Sequence, residues 1–138
     1  MRWGPAAAAV VLAASLGACE RPVSVHVGPR VPRVKVLAET EGVGLAARDG
    51  STVTAHYVMT TPEGAEILST RRTRRPERWI VGEGSVIEGM DDAVRGMRAG
   101  GTRRVEIPPE LHWGRAGHGG KVPPNTPLIV EIEVVLVQ

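Results

Sequence analysis

The chain has 138 residues, enough for one domain of ordinary size, and a formal net charge of +2 from 17 basic and 15 acidic residues. This near balance of charge gives no reason to expect an acidic partner, and no basic motif of a nucleic-acid-binding protein is present. Aromatic residues make up 3% of the chain, with no phenylalanine and one tyrosine, so few rings are available to line a binding site.

The first segment predicts export. One positive charge, Arg2, precedes an apolar run over residues 6–14. A membrane span needs about 20 apolar residues, so this shorter run is typical of a secretory signal peptide, here residues 1–18. The signal ends at Leu16-Gly17-Ala18-Cys19, which resembles the lipobox of bacterial lipoproteins, where the cysteine is lipidated and becomes the new N-terminus.

Cys19 is the only cysteine of the chain, so no intramolecular disulfide can form. We expect Cys19 to be lipidated; the alternative is an ordinary secretion signal with an incidental cysteine at its end. Residues 19–33 contain three prolines and predict a stiff tether between the lipid and the domain. Glu20 follows the cysteine, and in Gram-negative lipoproteins this resemblance favours the outer membrane. We therefore expect a lipid-anchored protein that faces the periplasm.

The domain is expected to span residues 34–138, and its strands are predicted from alternation of apolar and polar side chains. The runs at 52–59, 102–107 and 128–137 alternate with a period of two. Shorter strands are predicted at 34–37 and 65–70. Trp79 is expected on a further strand, with its ring in the core. Residues 71–75, four arginines around one threonine, are expected in a solvated loop; contact with anionic headgroups is the alternative.

One amphipathic helix is predicted at about residues 89–98. Its apolar residues recur at i, i+3, i+4 and i+7, which places Met90, Ala93, Val94 and Met97 on one face. Gly96 is expected inside this helix at a cost of about 1 kcal/mol, and Gly100-Gly101 is expected to end it. Such a short helix is not stable alone in water. The strands must cover it, so the sequence predicts an α+β domain in which an antiparallel sheet curls over the helix.

The motifs of this domain resemble the FK506-binding-protein (FKBP) type of peptidyl-prolyl cis-trans isomerase. They are Val53–Tyr57, Gly64, Val81–Gly89, Gly96–Gly101, Ile107–Leu111, Gly114, Gly117, Gly119-Gly120 and Val122–Leu128. The resemblance implies a five- or six-stranded antiparallel sheet wrapped around one short α-helix, with a shallow apolar pocket between them. It also implies an isomerase that needs no cofactor. The span from Met97 to Val122 has the family's length, so no inserted chaperone domain is expected.

The resemblance also implies the site residues. The expected catalytic residues are Tyr57, Ile87 through its backbone N–H, and Trp113, which stands where the family has a tyrosine. The expected substrate-binding residues are Tyr57, Ile67, Leu68, Val86, Ile87, Met90, Trp113 and Val130. Several pocket positions depart from the family: Met90 replaces a tryptophan, Leu68 an aspartate, and Ile67, Glu77 and Val130 replace phenylalanines.

These departures predict a weak isomerase that assists the folding of exported proteins, because aromatic walls are what grips a proline ring. The alternative is a non-catalytic peptide-binding or chaperone module on the same fold. The expected partners are unfolded or nascent exported chains that contain proline, and the membrane through Cys19, with the domain itself a monomer. The spacing of the histidines predicts no metal site, although His118 lies in the loop over the pocket and could touch substrate.

Overall fold

The structure is a computed structural model that describes residues 33–138. The predicted signal peptide at 1–18, the predicted lipidation site at Cys19 and the tether as far as residue 32 lie outside the described residues. In the described part of the chain, no helix is long and apolar enough to span a membrane.

Six strands and three short helical segments make up the domain. The strands are β1 (Lys35–Thr40), β2 (Thr52–Thr60), β3 (Glu66–Ser69), β4 (Glu77–Ile80), β5 (Thr102–Ile107) and β6 (Leu128–Val137). The helices are α1 (Thr70–Thr73) and α2 (Glu88–Val94), with a single 3₁₀ turn at Pro109–Leu111.

All strand pairings are antiparallel, in the order β1-β5-β6-β2-β3. The long strand β2 serves two neighbours on its other edge: β4 pairs with its first half and β3 with its second half. The predicted antiparallel sheet of five or six strands around one short helix is therefore confirmed, and the number of strands is six.

The core lies where the inner face of this sheet meets α2. Along β2 every second residue is buried, as the alternation predicted, and β6 shows the same pattern over most of its length. The helix contributes Met90, Ala93 and Val94 to the same apolar cluster. Trp79 of β4 is also buried there, which confirms its predicted place in the core.

The predicted end of the helix is wrong. Helix α2 stops at Val94, and Gly96 adopts φ +83°, a left-handed conformation that glycine reaches without steric cost. The Gly96 N–H donates to the Ala47 carbonyl at 2.7 Å. Gly96 therefore terminates the helix instead of weakening its interior. Met97 is nevertheless buried, because the turn after Val94 carries it back into the core.

Two other boundaries differ from the predictions. Strand β1 runs to Thr40, since it pairs with β5 at both ends and is interrupted only by a register shift between Val36 and Ala38. Strand β3 ends at Ser69. The arginine-rich segment forms the helical turn α1, where the Ser69 side chain accepts a hydrogen bond from the Arg72 N–H. Arg71 forms an ion pair with Glu133 and Arg72 one with Glu66. The segment is exposed, as predicted, but it contains a helical turn and two ion pairs instead of an irregular loop.

Candidate active site

A cleft of about 530 Å³ opens between the sheet and the start of α2, within the usual size range of small-ligand sites. Seven of the eight predicted binding residues line it: Tyr57, Ile67, Leu68, Val86, Ile87, Met90 and Trp113. The lining also contains Met59, Glu77, Ser85, His118, Gly119 and Lys121. Residues far apart in the sequence therefore converge on one mostly apolar cavity.

Val130 is the predicted binding residue that does not reach the cleft. It is 0% exposed and lies on β6 between Met59 of β2 and Val105 of β5. Its side chain is covered on the core side of the sheet and does not line the cleft. Met59 lines the cleft instead. Val130 lies beside Met59 on the neighbouring strand and supports it from there.

Tyr57 projects from the middle of β2 into the cleft wall. Its ring packs edge-to-face on Trp79, with 6.5 Å between ring centroids and an interplanar angle of 87°. Its hydroxyl donates a hydrogen bond to the Glu77 carboxylate. Burial, together with this hydrogen bond and the charge of Glu77, raises the pKa of Tyr57 well above its usual value. The hydroxyl therefore keeps its proton at every physiological pH.

Val86 and Ile87 form the edge of the cleft just before α2. Ile87 is the N-cap residue, and its carbonyl accepts a hydrogen bond from the Met90 N–H at 2.9 Å. Its own N–H has no backbone acceptor among residues 33–138, as is usual at a helix start. Met90 lies one turn further on and is 1% exposed. The helix start thus offers one backbone donor above a thioether floor.

Trp113 closes the other side of the cleft. It follows the 3₁₀ turn and is half-buried against the core. The His118 ring stacks on its indole, with centroids 4.5 Å apart and an interplanar angle of 12°. The loop that carries both rings is held by His112, whose Nε2 lies 2.8 Å from the Thr126 carbonyl oxygen. His118 therefore reaches the cleft through a ring stack with Trp113.

Comparison with known proteins agrees with this geometry. Residues 44–135 match the family of FKBP-type peptidyl-prolyl cis-trans isomerases. The chain belongs to this family. An FK506-binding protein of Neisseria meningitidis serogroup A is 38% identical over 97 residues, which cover 70% of this chain and 89% of that protein.

Two further relatives extend the comparison. The peptidyl-prolyl cis-trans isomerase FKBP1A of Xenopus laevis is 34% identical over 103 residues, covering 74% of this chain and 95% of the relative. The crystal structure of FkpA from Escherichia coli superimposes with a TM-score of 0.66 at 30% identity. That match covers 76% of this chain and 47% of FkpA, so the chain spans about half of FkpA. The chain is thus an FKBP-type peptidyl-prolyl isomerase.

The lining of this FKBP cleft shows which site residues the sequence analysis missed. Met59 follows Tyr57 on the same face of β2, so strand alternation could have identified it. Gly119 and Lys121 lie in the loop after Trp113, where no periodic pattern places a side chain. Glu77 was considered only as a lost aromatic residue, but it stands in the cleft wall as the partner of Tyr57.

His112 should make the FKBP domain less stable in acid. Its Nδ1 is buried and has no hydrogen-bond partner in the described part of the chain, and burial lowers the pKa of His112. In the unfolded chain, His112 has its ordinary pKa of about 6.5 and binds a proton below that pH, whereas in the folded chain it stays neutral to a lower pH. The free energy of unfolding therefore falls as the pH falls. Urea unfolding at about pH 7.5 and pH 5.5 should show this loss, and His112→Gln should reduce it. An equal loss in the variant would contradict the assignment to His112.

Proposed function

We propose that this isomerase accelerates cis-trans isomerisation of X-Pro bonds in exported proteins, at a low rate for its family, from a lipid anchor in the outer membrane that holds it in the periplasm. The observation that carries the activity is the convergence of Tyr57, the Ile87 N–H and Trp113 around one apolar cleft. The proposed location in the outer membrane rests on the sequence Leu16–Cys19 and on Glu20.

The reaction needs no covalent step. Rotation about a peptide bond crosses a barrier of about 18–20 kcal/mol because resonance gives the C–N bond double-bond character. The twisted amide has lost this resonance and part of its charge separation. A cleft that excludes water therefore disfavours the planar amide more than the twisted one. The apolar walls hold the proline ring, while a donor such as the Ile87 N–H can hold a neighbouring carbonyl.

The low rate follows from the walls. An aromatic ring buries about 150–250 Å² and is rigid, whereas a methionine side chain has three rotatable bonds. Met90 forms the floor, and Ile67 and Leu68 form one side. Leu68 is 45% exposed, and neither Leu68 nor Ile67 presents a rigid ring to a bound proline. We therefore expect looser binding of the proline ring and a smaller preference for the twisted amide than in family members with aromatic walls.

The proposed partners are unfolded or nascent exported chains that contain proline. At about 3.1–3.5 Å per residue, the proline-containing tether at residues 19–33 could hold the domain about 40 Å from the lipid. At that distance, a domain acting as a monomer can reach chains that are still folding beside the membrane.

The test is the rate of cis-to-trans isomerisation of short X-Pro peptides with the full-length protein. The wild type should exceed the uncatalysed rate, and Tyr57→Phe should lower kcat/KM about fivefold, because it removes one hydroxyl hydrogen bond and keeps the ring. Val58→Ala is the matched control, since Val58 is the next residue of β2 and does not line the cleft. The variants must have the circular dichroism spectrum of the folded wild type.

The alternative function is peptide binding without turnover. Leu68, Met90 and Glu77 favour it, because none of them supplies the ring or the aspartate that the family resemblance implies at these positions. Rates equal to background, with several residues tried before proline and with the protein folded, would support this alternative and contradict catalysis.

A further inference from the structure

The Glu77 carboxylate is the least expected group in the cleft. Glu77 begins β4, where it pairs with Ala55 of β2, and Tyr57 lies two residues further along β2 on the same buried face. Both side chains line the cleft, and the Tyr57 hydroxyl donates to Oε2 of Glu77. A half-buried carboxylate in an apolar wall loses part of its hydration, which costs free energy. Its contacts with neighbouring groups must compensate for this cost.

Glu77 has no direct ion pair among residues 33–138. Within residues 33–138, no lysine, arginine or histidine nitrogen lies within 4.0 Å of its carboxylate. Lys121 lines the same cleft and Arg75 an adjoining groove, yet neither forms an ion pair with it. The direct polar contact of the Glu77 side chain is therefore the Tyr57 hydroxyl.

This contact fixes the hydrogen-bonding role of Tyr57. A tyrosine hydroxyl has one proton, and a carboxylate is the strongest acceptor for it. While the Tyr57 hydroxyl donates its proton in a hydrogen bond to Glu77, it can offer only an oxygen lone pair to a ligand in the cleft. The edge-to-face packing on Trp79 fixes the ring at the same time. A peptide in the cleft would then meet an acceptor at Tyr57, and donors at the Ile87 N–H and the Trp113 indole.

We propose that Glu77 is a positioning residue for the isomerase: it holds the Tyr57 hydroxyl in one orientation, as an acceptor toward bound peptide. This inference rests on the proposed function, because it assigns a role within the same site. Leu68 stands at the position where the family resemblance implies an aspartate, so the cleft lacks one carboxylate on β3 and has another on β4.

A double-mutant cycle with the full-length protein tests the proposal. Glu77→Ala should lower kcat/KM about fivefold, because a hydroxyl that is no longer held loses its orientation. Glu77→Gln should stay within about twofold of wild type, since its amide oxygen still accepts the Tyr57 proton. In a Tyr57→Phe background, Glu77→Ala should cause no further loss, because the group that it positions is already gone. Glu63→Ala is the control, in the exposed turn after β2.

A second measurement reads the contact directly. Tyr57 is the only tyrosine of the chain, so the ultraviolet absorbance change on forming tyrosinate reports it alone. The pKa of Tyr57 should be lower in Glu77→Ala and Glu77→Gln than in wild type, because both remove a neighbouring negative charge. A purely structural role elsewhere in the fold would leave this titration unchanged.

Three outcomes would overturn the proposal. An active wild type with an equally active Glu77→Ala variant would refute it and leave the proposed function intact. A loss on Glu77→Ala that is just as large in the Tyr57→Phe background would show that Glu77 does not act through Tyr57. A folded wild type that never exceeds the uncatalysed rate would remove the proposed function, and this role with it.

Discussion

Replacing Met90 with alanine is expected to lower the free energy of unfolding by about 2–4 kcal/mol. Met90 is among the largest fully buried side chains, at 1% exposure, and lies where α2 meets the sheet. Truncation removes apolar contacts and leaves a cavity that the surrounding strands can fill only in part. Urea unfolding followed by the fluorescence of Trp79 and Trp113 measures the change.

Two control variants separate burial from the chemistry of the side chain. Val135→Ala removes apolar atoms at a site that is 48% exposed, so it should change the free energy of unfolding by less than about 0.5 kcal/mol. Met90→Leu keeps the volume and should cost less than about 1.5 kcal/mol. A Met90→Ala variant as stable as Val135→Ala would show that the floor of the cleft collapses without cost.

The strands of this fold could be predicted because each central strand has one covered face. In β2, burial alternates residue by residue along its whole length. The same physical cause, one sheet face pressed on a helix, produces the sequence pattern and the structure. Strand β1 was predicted to end at Leu37 but runs to Thr40. It is an edge strand, all of its residues are exposed, and its sequence therefore carries no alternation that marks its end.

The end of the helix could not be predicted from periodicity. Met97 has the spacing of a fourth helical residue and is buried, so the apolar pattern continues past the point where the backbone leaves the helix. The helix ends before Gly96, but the sequence alone does not show this, because a glycine within a helical pattern can be either an interior residue or a left-handed helix terminus. The acceptor of its N–H, the Ala47 carbonyl, lies in a distant loop that local sequence does not reveal.

Most of the cleft could be predicted because the family motifs fix where its residues meet. The differences concern side-chain exposure and contact partners. Val130 is on the expected strand, but its side chain is enclosed between β2 and β5. The contact of Glu77 on β4 with Tyr57 on β2 joins two residues that are twenty positions apart in sequence. Such a contact follows from strand register, which a single sequence specifies only weakly for a strand as short as β4.

Replacing Gly89 with alanine is expected to destabilise the domain by about 1–3 kcal/mol, although the same change at an open helix position gains about 1 kcal/mol. Gly89 lies in the first turn of α2, and a Cβ there would overlap Cγ2 of Ile107 and lie 3.1 Å from its Cδ1. Ile107 is fully buried on β5, so it cannot move aside without displacing the core. Urea unfolding measures the change, with Glu88→Ala, an exposed position of the same helix, as the control.

The cause can be assigned by adding Ile107→Ala. Alone, this change should cost about 2–5 kcal/mol by leaving a cavity. In combination, the new Cβ at position 89 occupies part of that cavity and no longer meets the isoleucine methyl. The double variant should therefore be at least about 1 kcal/mol more stable than the sum of the two single losses predicts. If the losses of unfolding free energy are additive, the overlap with Ile107 is relieved by a shift of α2. In that case the close approach of α2 and β5 at Gly89 does not hold the wall of the cleft in place.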